Sequence, residues 1–103
     1  MPTGILGQAA PAATTNTTVY TVPAATIATC NISVCNRGTI PIYVRIALSA
    51  SGTPSNSEYI EYDAEILANQ VLERSGIVLN ATKNVVVYTD TATASFSVYG
   101  YEA

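Results

Sequence analysis

Two stretches of alternating residues between Ile27 and Ser49 constrain the fold of this chain more than any other feature. In each stretch apolar and polar side chains alternate, and a polar turn separates the two. An alternation of period two is typical of half-buried β-strands. It predicts a hairpin of two strands whose core-facing residues are Ala28, Cys30, Ile32 and Val34 in the first and Ile42, Val44, Ile46 and Leu48 in the second.

Further runs rich in β-branched and aromatic residues follow along the chain, and residues typical of turns separate nearly all of them. The strands predicted after residue 17 are 18–22, 26–35, 40–49, 59–66, 71–78, 84–89 and 94–101. Short strands at this spacing are typical of all-β sandwiches. At 103 residues, the chain is predicted to form a single-domain antiparallel β-sandwich, jelly-roll-like or Ig-like.

Residues 1–17 differ in composition from the rest, because they are rich in Ala, Thr, Pro and Gly and lack charged side chains. Such a segment buries little apolar surface by itself. We therefore expect an extended N-terminal arm over 1–17, followed by the sandwich domain over 18–103. Ile5 and Leu6 give the arm an apolar anchor that could dock on another subunit. A terminus without fixed structure is the alternative.

Residues 63–76 are open to a second interpretation, since they also fit one helix. Asp63 could cap it, Leu67 and Val71 have helical spacing, and Gly76 could end it. The strict alternation of apolar and acidic residues over 60–66 favours a strand instead.

The surface is expected to be poor in charge. Charged residues are 11% of the chain, against roughly 25% in ordinary soluble domains. Thr, Ser and Asn supply the polarity. Because interface cores are depleted of Lys and acidic residues, this composition favours a homo-oligomer or a chain partly covered by other subunits. A monomer of low charge remains the alternative.

Several classes of partner are disfavoured. The net charge is −3 with one Lys and three Arg, so no basic stripe for nucleic acid is expected. No apolar run approaches the roughly 18 residues that span a membrane, and a secretory signal is not recognisable. Cys30 and Cys35 are too far apart along one predicted strand to form a disulfide. Free thiols and synthesis in a reducing cytoplasm are therefore expected.

The residues give little support to catalysis. The chain has no histidine, which rules out a Ser-His-Asp arrangement within it. The acidic cluster consists of Glu58, Glu61, Asp63 and Glu65, and a strand would place the last three on one face. A glycosidase pair, a calcium site and a solvated strand edge are its three interpretations. The edge is favoured, so no catalytic residue, metal or cofactor is predicted.

The last predicted strand suggests a contact surface. Ala94, Phe96 and Val98 form its inward face, which leaves Tyr99 and Tyr101 on the opposite face. Tyrosine is common at interfaces and on surfaces that bind carbohydrate. These two tyrosines are therefore candidate interface residues.

Five runs of the chain carry a family resemblance: 6–23, 34–38, 59–63, 87–88 and 96–102. The most specific are the opening from Leu6-Gly7-Gln8 to Tyr20-Thr21-Val22-Pro23 and the turn Val34-Cys35-Asn36-Arg37. In these runs the chain resembles small virion proteins of tailed bacteriophages. The resemblance covers nearly the whole chain, and it implies a non-enzymatic, all-β structural protein of the particle.

Within that class, the neutral surface and the arm favour a capsid decoration, or cement, protein. Such a protein would be made in the host cytoplasm, bind the major capsid protein across subunit junctions and stabilise the head, as a trimer at three-fold positions. One rival is a neck, tail or baseplate module that could bind host glycan, and another is a carboxylate enzyme. A structural turn does not need an arginine, so Arg37 is a further candidate contact. The candidate interface residues are therefore Ile5, Leu6, Arg37, Tyr99 and Tyr101.

Overall fold

The computed structural model describes residues 3–103, which form two four-stranded antiparallel sheets packed face to face. The strands are β1 (Thr3–Ala9), β2 (Thr17–Thr21), β3 (Ala28–Asn36), β4 (Ile42–Ser49), β5 (Tyr59–Ile66), β6 (Val71–Leu79), β7 (Asn84–Thr89) and β8 (Ala94–Glu102). A single 3-10 turn, Asn56–Glu58, precedes β5. The predicted all-β sandwich is confirmed.

The strand order is that of a jelly roll, one of the two sandwich types expected. Sheet I has the order β1-β8-β3-β6 and sheet II the order β2-β7-β4-β5. Successive strands alternate between the sheets, except that β4 and β5 are neighbours in sheet II. Each sheet therefore has one face in the core and one outer face, and the two outer faces lie on opposite sides of the molecule.

Apolar side chains from both sheets form one core between them. The inward residues of β3, from Ala28 to Val34, are fully buried, as are Phe96 and Val98 of β8. Near one end, the buried Tyr20 hydroxyl donates a hydrogen bond to the carboxylate of Glu102. Burial, followed by this bond, raises the pKa of Tyr20. The pair links β2 of sheet II to β8 of sheet I.

The predicted hairpin between Ile27 and Ser49 is wrong in its pairing, although both of its strands exist. β3 pairs with β6 and β8, whereas β4 pairs with β5 and β7, so residues 37–41 cross from one sheet to the other. Alternation determines which face of a strand is buried, but it does not identify the neighbouring strand. The faces agree with the prediction with two exceptions: Leu48 is only partly buried, and Ala47, which the alternation places outside the core-facing set, is fully buried.

Asn36 holds this crossing in place. Its side chain is fully buried, and its Nδ2 lies 2.8, 3.1 and 3.2 Å from the carbonyl oxygens of Ile40, Ile66 and Leu67. Its Oδ1 accepts from the Gly38 amide at 2.9 Å and from the Thr93 hydroxyl at 3.1 Å. One amide group therefore joins the β3–β4, β5–β6 and β7–β8 connections at one end of the sandwich.

The expected arm is corrected over Thr3–Ala9, because these residues form edge strand β1 and pair with β8. Leu6 packs against the core. A Cβ at Gly7 would overlap the carbonyl oxygen of Val19, so the glycine lets β1 approach β2 closely. The sandwich thus begins before the predicted boundary at residue 17. Residues 1 and 2 of the predicted arm lie outside the described residues.

The alternative helix over 63–76 is not found. β5 continues to Ile66, a turn with Asn69 in a left-handed conformation follows, and β6 begins at Val71. Cys30 is buried and Cys35 half-buried on β3, and both are free thiols as expected.

We expect Asn36→Ala to lower the free energy of unfolding by about 3 kcal/mol, because buried groups left without partners cost about 1–3 kcal/mol each. Urea unfolding at pH 7 measures this. Asn16→Ala is the matched control, since Asn16 is exposed in the β1–β2 connection. Equal stability of the two variants would show that Asn36 does not organise this end of the sandwich.

Candidate functional site

The outer face of sheet II carries a group of aromatic and charged side chains centred on Arg45. We call this group the tyrosine–arginine face. It consists of Tyr43, Arg45, Tyr59, Tyr62, Asp63, Tyr88 and Asp90.

A β-bulge in β5 brings two of these side chains to Arg45. Between Val44 and Ile46 the pairing of β4 with β5 shifts by one residue, so that both Tyr62 and Asp63 lie opposite Arg45. Bulges re-aim side chains in this way. Asp63 has a φ of 52°, in the left-handed region that Asp tolerates better than most residues.

The guanidinium group of Arg45 is held by three neighbours. Its central carbon lies 4.2 Å from the ring centroid of Tyr62 and 4.4 Å from that of Tyr88. Its Nε donates a hydrogen bond of 2.7 Å to Oδ1 of Asp63, and this bond raises the pKa of Arg45. Cation–π contacts and a charge-assisted hydrogen bond together fix the side chain on the sheet.

Two shallow cavities lie beside this arrangement. One, of about 380 Å³, is lined by Tyr43, Arg45, Asp63, Tyr88 and Asp90. The other, of about 390 Å³, is lined by Asn56, Tyr59 and Tyr62. The rings of Tyr59 and Tyr62 meet edge to face, with their centroids 4.9 Å apart. The Tyr62–Arg45 contact therefore joins the two cavities.

The acidic cluster does not form one carboxylate face. Because of the bulge, Asp63 binds Arg45, while Glu61 forms an ion pair of 3.2 Å with Arg74 of β6. Glu65 accepts a hydrogen bond from the Tyr43 hydroxyl. Within residues 3–103 no group of three potential metal-binding side chains occurs.

Glu58, the fourth acid, organises the connection between β4 and β5. Its carboxylate accepts hydrogen bonds from the Ser55 and Ala50 amides and from the Ser49 hydroxyl. These bonds, the one from the Ser55 amide first, lower the pKa of Glu58 to about 2. The connection includes Asn56, which lines one of the two cavities.

Three of the five predicted interface residues lie together, on the outer face of sheet I. Ile5 of β1 pairs with Tyr99 of β8, and Tyr101 lies two residues further along β8. The Tyr99 hydroxyl donates a hydrogen bond to Glu73. Leu6 instead faces the core. Arg37 is exposed at the end of the sandwich, where its guanidinium donates to the carbonyl oxygen of Ala92.

The outer face of sheet I is almost free of charge, and we call it the uncharged face. Its exposed apolar residues are Ile5, Ile27, Val71, Val78 and Tyr101. Thr29, Asn31, Ser33, Ser95 and Ser97 lie between them on β3 and β8. In the described strands, Glu73 is the one charged residue that the pairing places on this face.

The tyrosine–arginine face was not predicted from the sequence. A signal was present, because Tyr43 and Arg45 alternate with buried residues of β4, and Tyr and Arg are enriched at interfaces. The bulge that turns Tyr62 outward leaves no mark in the alternating sequence. The alternation groups Tyr62 with Ile60, Ala64 and Ile66, but its side chain is 58% exposed.

Comparison of the chain with family models, curated proteins and solved structures found no match. Among residues 3–103 there is also no helix with the length and apolar character needed to cross a membrane.

The lowered pKa of Glu58 predicts a pH dependence of stability. A carboxylate favoured by the fold stabilises it fully above its unfolded pKa of about 4.3, and this contribution is lost as the pH falls towards about 2. Glu58→Gln should therefore lower the urea midpoint at pH 7 and have a smaller effect near pH 3. The control is Glu65→Gln, which removes the charge of an exposed carboxylate in β5. An effect of Glu58→Gln that is equal at both pH values would contradict this role.

Proposed function

We propose that this chain is a structural protein of a tailed-bacteriophage virion, and specifically a capsid decoration protein that stabilises the head across junctions of the major capsid protein. The sequence resemblance described above suggests the class. The uncharged face is the observation that carries the proposal, because it gives the chain a broad surface suited to burial against other subunits.

The chemistry of this face favours a protein partner. Val78, Ile5 and Tyr101 are 65%, 60% and 51% exposed, and full burial of one large apolar side chain contributes about 1.5–3 kcal/mol. The hydroxyl and amide groups between them can form hydrogen bonds without the cost of desolvating a charge. Weak contacts of this kind, repeated by the symmetry of a shell, add through multivalency.

The arrangement of β1 changes how such docking would occur. The attachment proposed here uses a sheet face, because Thr3–Ala9 is already paired with β8 of its own chain. Deletion of residues 1–17 would remove edge strand β1 and uncover β8, so loss of binding could reflect damage to the fold. Point substitutions on the uncharged face make a cleaner test.

The proposed assembly is a trimer with further contacts to neighbouring subunits. A trimer at three-fold positions closes its own interface through cyclic symmetry. Arg37, exposed at the end of the sandwich, is a candidate contact with a neighbouring subunit. Leu6 is no longer a candidate because it packs against the core. The proposed role is non-enzymatic and needs no cofactor, and nucleic acid and membrane are not among the proposed partners.

The tested variant is Ile5→Asp combined with Val78→Asp, which places two charges on the uncharged face. We expect at least a tenfold loss of affinity for phage particles that lack this protein, measured by cosedimentation at increasing concentrations of the chain. Both side chains are exposed, so the fold should survive. Leu67→Asp is the matched control, since Leu67 is exposed in the β5–β6 turn outside this face. Unchanged binding by the double variant would overturn the docking proposal.

The position in the particle needs a second measurement. Electron microscopy of virions that carry a labelled copy should show density distributed over the head at symmetry-related positions. Label confined to the neck, tail or baseplate would replace the decoration role by the alternative module, and absence of label from virions would overturn both.

A further inference from the structure

We propose that the tyrosine–arginine face binds neutral saccharides. This binding would be independent of the virion role, since it uses the outer face of sheet II and not the uncharged face of sheet I. A chain docked through the uncharged face would present the tyrosine–arginine face to its surroundings.

The size and arrangement of the cavities suit consecutive units of a saccharide chain. Both are open to solvent, and their volumes, about 380 and 390 Å³, are near the lower end of the roughly 300–1,000 Å³ typical of small-molecule sites. They meet where the Tyr62 ring packs on Arg45. Each cavity could hold one sugar ring, with the bond between the rings crossing Tyr62.

The side chains combine the two features that sugar recognition needs. A pyranose ring has an apolar C–H face, which can pack on a tyrosine ring, and an edge of hydroxyl groups. Tyr62 and Tyr43 are 58% and 42% exposed and offer the aromatic surfaces. The carboxylates of Asp63 and Asp90 line the same cavity, and a carboxylate has about four acceptor sites. Asp63 accepts two hydrogen bonds from Arg45, and Asp90 accepts from the Tyr43 amide and the Thr91 hydroxyl, so each carboxylate keeps acceptor sites for a sugar hydroxyl.

Electrostatics disfavour charged ligands. Asp63 and Asp90 line one cavity with Arg45, and Glu65 is bound by the Tyr43 hydroxyl beside it, so three carboxylates stand against one cation and an anionic ligand would meet net negative charge. Arg45 stacks on Tyr62 and Tyr88, so a basic side chain that approached these rings would be repelled by a like charge at short range. A neutral hydroxyl-rich ligand avoids both conflicts.

The site is also formed in advance of binding. Two rings and the Asp63 carboxylate hold Arg45, and each of these groups lies on a strand of sheet II. A preformed site loses little side-chain freedom when a ligand binds. A few contacts can therefore supply useful affinity at this site.

The first experiment is a glycan array probed with the full-length, fluorescently labelled chain. We expect saturable binding to neutral oligosaccharides and at least tenfold weaker binding to sialylated versions of the same structures. The best neutral oligosaccharide is then titrated into ¹⁵N-labelled protein, where amide shifts should concentrate at Tyr43, Arg45 and Tyr88. A lysine-rich peptide should cause no such shifts. Failure of every neutral glycan, preference for sialylated glycans, or shifts caused by the peptide would overturn the proposal.

Tyr62→Ala tests the site directly. We expect affinity for that oligosaccharide to fall at least tenfold, with a melting temperature showing that the chain remains folded. Ile40→Ala removes an exposed apolar side chain in the β3–β4 connection and is the control. If Tyr62→Ala binds as well as the control, the site lies elsewhere. Should Tyr62→Ala fail to fold, the amide shifts of the unmodified chain still decide the matter.

Discussion

The buried amide group of Asn36 ties together three connections at one end of the sandwich. A jelly roll must lead its chain repeatedly from one sheet to the other, and each crossing leaves backbone groups without strand partners. Such groups are costly when they are buried and unpaired. The Asn36 side chain donates hydrogen bonds to carbonyl oxygens at the β3–β4 and β5–β6 connections. It accepts a hydrogen bond from the Thr93 hydroxyl in the β7–β8 connection. The sheets are thereby held in a fixed relation at this end.

The fixed relation of the sheets gives the molecule two outer faces of different chemistry. Sheet I presents hydroxyls, amides and exposed apolar side chains with little charge, whereas sheet II presents tyrosines, carboxylates and one stacked arginine. Because these faces lie on opposite sides of a sandwich, one can be buried against a partner while the other stays in solvent. The proposed docking and saccharide-binding roles therefore do not compete for surface.

Much of the fold could be predicted from the sequence, because alternation is a direct consequence of one buried face per strand. β3, β4 and β8 were recognisable in this way. β1 was not recognisable, because Gly4 and Gly7 interrupt its alternation. Gly7 is required by the close approach of β1 to Val19, which lies in the other sheet. Strand pairing was equally hidden, since alternation does not distinguish a hairpin from a crossing between sheets.

The candidate site was predictable only in part. Tyr99 and Tyr101 were expected on the outer face of the last strand, but Ile5 was expected in a separate arm, and only the pairing of β1 with β8 brings it beside them. Their role as a contact surface remains a proposal. The tyrosine–arginine face depends on a bulge at Tyr62 and Asp63, and a one-residue shift of pairing cannot be read from a sequence that alternates without interruption. Contacts that depend on register therefore need the three-dimensional structure.

Hydroxyl-radical footprinting of intact virions shows whether the two outer faces have separate roles. Side-chain oxidation is measured by mass spectrometry for the chain on the particle and for the free chain. We predict that Tyr101 on sheet I becomes protected on the particle, while Tyr62 on sheet II is oxidised equally in both states. Protection of Tyr62 with Tyr101 left reactive would contradict docking through the outer face of sheet I.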